Sequence, residues 1–341
     1  MKLSVIIPVY NRPQDLTQCL EALTRSSRVA DEIIVVDDGS TDNSAEIASQ
    51  FGANVVRLAT GPHGPALARN RGAKVARGEI LLFLDSDVLV HADTLATIER
   101  TFDSQKDLCG LFGSYDDSPP IRSIISLYKN LVHHYVHQNS RREASTFWAG
   151  CGAIRRTAFE SCGGFDERYV QPSIEDIELG TRMARQGMLL WSCPDILCTH
   201  LKEWTFPGLI KTDIFQRALP WSRLIRTSGT LPNDLNVGWA NRFSAASAWL
   251  LIFSLIGLLV SPWAGIGLIA ATFLLVACNY KMLYFFWKKE GFAFVVCALS
   301  LHTFYLLYSS FVFVMVTVHS WVYEPKHIVV PKASYAVPNS D

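Results

Sequence analysis

The sequence has little charge and no excess of either sign. Charged residues make up 18% of its 341 residues, and 31 Lys and Arg balance 31 Asp and Glu. A dedicated nucleic-acid-binding protein carries a clear basic excess, so we expect no nucleic-acid partner. The charge is also uneven, because the 81 residues from 243 to 323 contain four charged side chains. This split predicts a water-soluble front part followed by a membrane-embedded back part.

The short motifs of several common sites are also missing. No GxGxxG follows the first predicted strand, and GxxxxGK[ST] is absent, which argues against a Rossmann dinucleotide site and a P-loop. The eight cysteines include no CxxC pair, which favours isolated buried thiols in a reducing compartment. The first apolar run meets Pro8 and is too short for a signal peptide, so we expect the front part to stay in the cytoplasm.

What the front part does contain is a series of apolar strands that end in polar clusters. Three clusters follow strands directly, at Tyr10-Asn11, Asp37-Asp38 and Asp85-Ser86-Asp87. Continuous apolar strands that alternate with helical segments predict an α/β fold with a parallel, doubly wound sheet. Ligands bind beyond the carboxyl ends of the strands in such sheets, so the clusters predict a site there.

The third cluster is a candidate metal site. Asp85 and Asp87 flank Ser86 directly after a buried strand, so both carboxylates can reach one cation. Oxygen ligands suit Mg²⁺ or Mn²⁺, which would bridge to diphosphate oxygens. The alternative is an Asx turn that caps the next helix.

Taken together, these segments resemble the successive signatures of family 2 glycosyltransferases, which have the GT-A fold. The matching segments are 5–11 (VIIPVYN), 36–42 (VDDGSTD), 68–72 (ARNRG), 83–87 (FLDSD), 148–156 (WAGCGAIRR) and 163–167 (GGFDE) leading to Glu175-Asp176. The resemblance covers roughly residues 1–225, and it implies a nucleotide-sugar donor and a transferred sugar.

The resemblance also implies roles for individual residues. It places these residues at the donor: Pro8, Tyr10, Asp37, Asp38, Arg69, Asn70, Asp85 and Ser86. By the resemblance, Asp87 and Asp85 are metal ligands. His200 is either a metal or phosphate ligand or, alternatively, a structural histidine. Of the acidic pair, Asp176 is the expected general base and Glu175 its catalytic neighbour. Both could instead form the acidic first turn of a helix.

The acceptor side departs from the processive members of the family. Those carry QxxRW after the acidic pair, whereas residues 216–221 here are QRALPW. We therefore expect one sugar per cycle rather than polymer synthesis. The expected acceptor-side residues are Trp148, Gly150, Gln216, Arg217 and Trp221.

The back of the chain is predicted to meet a bilayer. Residues 243–280 carry no charge, and about 20 apolar residues suffice to span the hydrocarbon core. We predict four regions: a GT-A domain at 1–200, an interfacial amphipathic segment at 201–242, about three transmembrane helices within 243–323, and a tail at 324–341. The helices are expected near 244–260, 266–287 and 292–322. A re-entrant pair or a two-helix wedge is the alternative, because the first segment is short.

The predicted protein is thus a multi-pass enzyme of the inner cell membrane with its catalytic domain in the cytoplasm. Its expected reaction is metal-dependent, inverting transfer of one sugar, from a UDP-sugar, to a membrane-associated lipid. The alternatives are a polyprenyl-phosphate glycosyl transferase and a non-catalytic membrane protein that binds nucleotide sugars.

Overall fold

The computed structural model describes residues 1–59, 61–228 and 238–323. Eight strands form one sheet: β1 Leu3–Val9, β2 Glu32–Asp37, β3 Asn54–Arg57, β4 Ile80–Leu84, β5 Val88–Val90, β6 Leu108–Tyr115, β7 Cys151–Arg155 and β8 Leu189–His200. Their order across the sheet is β3-β2-β1-β4-β7-β6-β8-β5. The predicted tail at 324–341 lies outside the described residues.

The sheet is mixed rather than wholly parallel. β1, β2, β3 and β4 pair in parallel, as predicted from their continuous apolar runs. β7 then runs antiparallel to both β4 and β6, and β5 runs antiparallel to β8. The parallel expectation therefore holds for the first half of the domain, where the chain crosses over through helices between strands.

Helices cover both faces of the sheet. They are α1 Pro13–Thr24, α2 Ser44–Gln50, α3 Pro65–Val75, α4 Thr94–Ser104, α5 Ile124–Gln138, α6 Arg156–Ser161, α7 Glu175–Arg185, α8 Phe206–Lys211, α9 Leu219–Ser228, α10 Trp239–Gly257 and α11 Ala264–Tyr323, with a π-helix at Thr212–Ala218 between α8 and α9. Alternate residues of β1 enter different cores: Val5 and Ile7 pack with α1, and Ile6 packs with α3. This two-sided burial is why the strand is apolar throughout.

The last two helices form an antiparallel bundle. α11 is two helices joined across Gly291, whose φ of 81° is readily available to glycine. We call residues 264–290 the first arm and 292–323 the second arm. Leu275 of the first arm and Leu306 of the second pack in one cluster with Ala248 of α10, so the arms fold back on each other. These helices lie close to the predicted ones.

The number of membrane spans differs from the prediction. Among the described residues, one element, Ala264–Tyr323, is long and apolar enough to cross a membrane. The described part of the predicted interfacial segment runs beside the second arm: Phe206 stacks on Phe304, and Arg226 donates to Ser320 at 3.0 Å. A multi-pass region is therefore not supported.

Candidate active site

The carboxyl ends of β2, β1 and β4 meet at one edge of the sheet because these strands are parallel neighbours. Their terminal polar residues open into one cavity of about 760 Å³, which we call the cleft. Asp38, Ser86 and Asp87 line it, together with Asp176 from α7. The structure thus brings the three predicted polar clusters and the acidic pair to one place.

Arg69 connects two of these clusters. Its Nη2 donates to Asp85 Oδ1 at 2.7 Å, and its Nη1 donates to Glu175 Oε1 at 2.8 Å. Arg69 reaches them because α3 lies close to the sheet: a Cβ on Gly72 would sit 2.4 Å from Ile6 Cγ2. The guanidinium is therefore paired with two carboxylates, and Arg69, which the resemblance placed at the donor, also lines the cleft.

Glu175 is positioned in the same way. It is buried, and its second oxygen accepts from the backbone N–H of Ser173 at 2.9 Å. One carboxylate oxygen of Glu175 thus pairs with Arg69 and the other with the loop, and the residue also lines the cleft. Its place in the structure is that of a residue that orients Arg69 and the start of α7.

Asp176 occupies a different position. Its carboxylate accepts from the backbone N–H groups of Ala149 at 3.0 Å and Ile177 at 2.8 Å, and it lines the cleft. Burial, followed by the charge of Glu175, raises the pKa of Asp176 to about 7. A carboxylate with such a pKa can take up and release a proton near neutral pH, which suits a general base.

Asp87 and His200 lie side by side in the wall of the cleft. Asp87 Oδ2 lies 3.7 Å from His200 Nε2, and the His200 ring stacks on Tyr115 at 4.2 Å. His200 is the last residue of β8. Burial alone would raise the pKa of Asp87, but nearby His200 and the charge of Lys202 lower it. Asp87 is thus held in its charged form.

This acidic cluster fits a metal ion that is shared with a substrate. Within the described part of the chain, no group of three His, Cys, Asp or Glu side chains is arranged to hold an ion by itself. Mg²⁺ usually takes one or two carboxylates and completes its shell with water and substrate phosphates. Asp87 and His200, with Asp85 two residues away, offer such a partial set.

The remaining donor-side residues divide into two groups. Pro8, Tyr10, Asp38 and Ser86 line the cleft, and Tyr10 is 40% exposed, so its ring is open to a ligand. The carboxylate of Asp38 is already engaged, since it accepts from the backbone N–H groups of His63 at 2.9 Å and Gly64 at 2.8 Å.

Asp37 and Asn70 do not line the cleft. Asp37 accepts from the Ser40 N–H at 2.9 Å and closes the turn after β2. Asn70 exchanges hydrogen bonds with the backbone of Phe165, at 2.9 Å in both directions. Both residues shape the loops around the site rather than its surface.

Four of the five predicted acceptor-side residues line the cleft: Trp148, Gln216, Arg217 and Trp221. Gln216 and Arg217 lie in the π-helix, a rare element that is frequent at functional sites. Gly150 is not at the surface of the cleft. A Cβ on Gly150 would sit 2.5 Å from the Trp148 ring, and its carbonyl accepts from the Asp85 N–H.

Comparison with known proteins decides the family. Residues 4–163 match the model described as Glycosyl transferase family 2, and residues 130–200 match that described as N-terminal domain of galactosyltransferase. The matched segment, residues 4–163, is thus a glycosyl transferase family 2 domain.

Relatives within family 2 support this assignment over part of the chain. The uncharacterized glycosyltransferase YibD of Escherichia coli is 45% identical over 100 residues, which are 28% of this chain and 29% of that protein. The O-antigen chain rhamnosyltransferase RfbN of Salmonella typhimurium is 24% identical over 235 residues, 65% of this chain and 74% of that one. The match therefore spans less than a third of the E. coli relative.

A solved structure confirms the GT-A fold. Residues 1–349 of Staphylococcus aureus TarS, in complex with UDP-GlcNAc, are 18% identical, with a TM-score of 0.52 over 88% of this chain and 91% of that one. The predicted fold class, α/β of the GT-A type, is confirmed.

Several cleft residues of this chain escaped the sequence prediction. Lys129, His133 and His137 of α5 all line the cleft, as do Tyr115 and Lys202. One signal was available: residues 129, 133 and 137 are four apart and so share one face of a helix. No signal in the sequence placed that face opposite the strand ends.

Proposed function

We propose that this chain transfers a single sugar from a nucleotide-sugar donor, a UDP-sugar, to a membrane-associated lipid acceptor. The observation that carries the proposal is the position of Asp176 in the same cleft as Asp85, Asp87 and His200. A direct displacement at the anomeric carbon needs a base for the attacking hydroxyl and a group that neutralises the leaving diphosphate. Here both would share one cavity. The family resemblance supports inversion, and the UDP-GlcNAc in the TarS fragment supports a UDP donor.

The donor would lie at the strand ends. Tyr10 and Pro8 offer an apolar surface for the base, while Asp87, Asp85 and His200 would hold Mg²⁺ or Mn²⁺ beside the diphosphate. The metal would neutralise the leaving diphosphate, which would otherwise repel these carboxylates. Arg69 keeps Asp85 and Glu175 in place, so the cluster is preorganised.

Asp176 is the proposed general base. Its two backbone hydrogen bonds fix the carboxylate in the cleft, where it can accept the proton of an acceptor hydroxyl as that oxygen attacks. α7 comes close enough because Gly180 lacks a side chain: a Cβ there would sit 2.0 Å from the Phe147 nitrogen. The absent QxxRW motif supports one transfer per cycle.

The proposed membrane association rests on the outer surface of α10 and α11. Phe253 of α10 and Ile269 and Phe273 of α11 are 62%, 73% and 70% exposed, and large exposed apolar surfaces mark contact with membranes or proteins. The second arm, however, bonds to polar groups of the preceding helices: Tyr308 donates to Asp213, and Ser320 accepts from Arg226. We therefore propose that the helices enter the bilayer from one side, in the manner of the wedge alternative, rather than as three spans.

The Gly291 end of α11, where the two arms meet, supports an orientation of the protein on the membrane. Lys289 pairs with Asp117, and Glu290 pairs with Arg122 at 2.6 Å, so this end lies against the catalytic domain. Basic residues here suit the anionic cytoplasmic leaflet, which supports a cytoplasmic catalytic domain at the inner membrane.

A donor screen tests the proposal. Membranes containing the full chain are incubated with radiolabelled nucleotide sugars and Mg²⁺ or Mn²⁺, and the lipid extract is examined by mass spectrometry. We expect label in a lipid from a UDP-sugar, and its loss when EDTA removes the metal. Liposome flotation checks the attachment. A purified protein that neither binds nor hydrolyses any nucleotide sugar would contradict the proposal and favour the non-catalytic alternative.

A further inference from the structure

Three cationic side chains from different parts of the chain converge on the cleft: Lys129 of α5, Lys202 just after β8, and Arg217 of the π-helix. The Trp204 ring lies between two of them, with Lys202 Nζ at 4.2 Å and Lys129 Nζ at 5.5 Å from its centroid. We call these three residues the cationic collar.

The collar carries more positive charge than its carboxylate partner neutralises. Asp213 pairs with Lys129 at 2.8 Å and with Arg217 at 3.9 Å, and Tyr308 donates to it at 2.6 Å. Lys202 has no carboxylate within ion-pair distance among the described residues. Burial, followed by the charge of Arg217, lowers the pKa of Lys129 to about 8, as expected where cations crowd together.

The collar also has a particular place along the cleft. Lys202 follows His200 by two residues, so the collar borders the acidic cluster on one side. On the other side the cleft continues between α9, α10 and the second arm. Its walls there include the apolar Ile225, Ala245, Leu306 and Phe313, alongside Asn241, Arg242, Ser309 and Ser310. The cavity therefore changes from acidic to cationic and then to a mixed wall, whose apolar part we call the apolar end.

We propose that the cationic collar binds the phosphate of the lipid acceptor, whose hydrocarbon chain occupies the apolar end of the cleft. An anionic head beside an apolar tail matches the order of charge and apolar surface in the cavity. Arg217 and Lys202 would donate charge-assisted hydrogen bonds to phosphate oxygens. This inference rests on the proposed function, and it adds the chemical class of the acceptor and the residues that select it.

Binding of farnesyl phosphate to the purified full-length protein tests the collar. Affinities for farnesyl phosphate, farnesol and UDP with Mg²⁺ are measured for the wild type, Lys202→Gln and Arg217→Gln. Arg223→Gln and Lys211→Gln are matched controls, because both residues are exposed and lie outside the cleft. Lys129 is left intact, since its loss would leave Asp213 buried without its closest partner.

We expect each collar variant to weaken farnesyl phosphate binding by about tenfold or more, with farnesol and UDP unchanged. Equal affinity of the wild type for farnesyl phosphate and farnesol would overturn the inference. A loss of UDP affinity in the collar variants would also overturn it, because the collar would then serve the donor. Failure of UDP to bind the wild type would instead count against the proposed function.

A further experiment separates two ways in which the phosphate could act. With farnesyl phosphate itself as acceptor, the phosphate oxygen is the nucleophile and already ionised, so Asp176→Asn retains transfer. With a lipid-linked phospho-sugar, a hydroxyl attacks and Asp176→Asn loses transfer. In both cases the collar variants lose use of the lipid, and a collar that affects neither acceptor would contradict the proposal.

Discussion

The catalytic domain and the C-terminal helices bury opposite kinds of side chain. In the sheet domain, apolar residues such as Ile7 and Phe83 are inside, and the buried charges at the cleft are paired. In α10 and α11, Phe253 and Ile269 are exposed, whereas Ser244 and Asn279 are buried and bonded to each other at 2.9 Å.

The difference agrees with the proposed membrane association. Water favours burial of apolar surface, as the sheet domain shows. In lipid, by contrast, exposed apolar side chains cost no free energy, and interhelical packing and hydrogen bonds hold helices together. Both parts line the cleft.

The largest effect is expected at Asp87, in the acidic part of the cleft. Asp87→Asn should lower kcat/KM by about 10³, or about 4 kcal/mol, because diphosphate neutralisation needs that carboxylate. Asp103→Asn, at the surface of α4, is the control. Steady-state kinetics at several Mn²⁺ concentrations provide the measurement, and turnover near the wild-type value would contradict the site.

The buried charge network should matter for stability as well as for position. Arg69→Met leaves Glu175 buried without its ion partner, which should cost about 3 kcal/mol of unfolding free energy. Arg71→Met, exposed on the same helix, should cost about 0.5 kcal/mol or less. Chemical denaturation in detergent compares the two, and equal losses would show that the pairing does not stabilise the domain.

The proton chemistry of Asp176 gives a pH signature. Asp176→Asn should lower kcat by about 10² with a hydroxyl acceptor. The base must be deprotonated, so wild-type kcat/KM should rise with pH up to about 7, the raised pKa of this group. The variant should lack that rise, and Glu160→Gln, a surface change, should keep it. A wild-type profile that is flat between pH 5 and 8 would exclude Asp176 as the base.

The polar interior of the helices should show the smallest effect. Asn279→Ala removes its hydrogen bond to Ser244 and should cost about 1 kcal/mol, since such bonds in lipid are modest. Thr272→Ala, on the exposed face, should change stability by a few tenths of a kcal/mol. Unfolding in mixed micelles measures both. A larger loss at Thr272 would indicate that the helices have the ordinary, apolar-inside arrangement.

Many donor-side residues could be picked out from the sequence, because the end of a strand is visible in a few consecutive residues. Asp85, Asp87, Tyr10 and Pro8 line the cleft as predicted, since parallel strands deliver their terminal residues to a common edge. Arg69 was expected at the donor phosphate, and its pairing with Asp85 and Glu175 depends on how α3 and α7 pack. The cationic collar was missed because its three members come from separate elements.

The sequence by itself indicated a family 2 glycosyltransferase domain, the apolar strands that end in polar clusters, and the apolar character of the back. The spacing of apolar residues, the residue types in turns and the order of the motifs can all be read from neighbouring positions in the sequence. Only the tertiary structure decided that β7 turns the sheet antiparallel, that α11 folds back at Gly291, and that Lys129, Lys202 and Arg217 meet. These features depend on contacts between distant segments, whose free energy is settled by packing of the whole chain rather than by any one stretch.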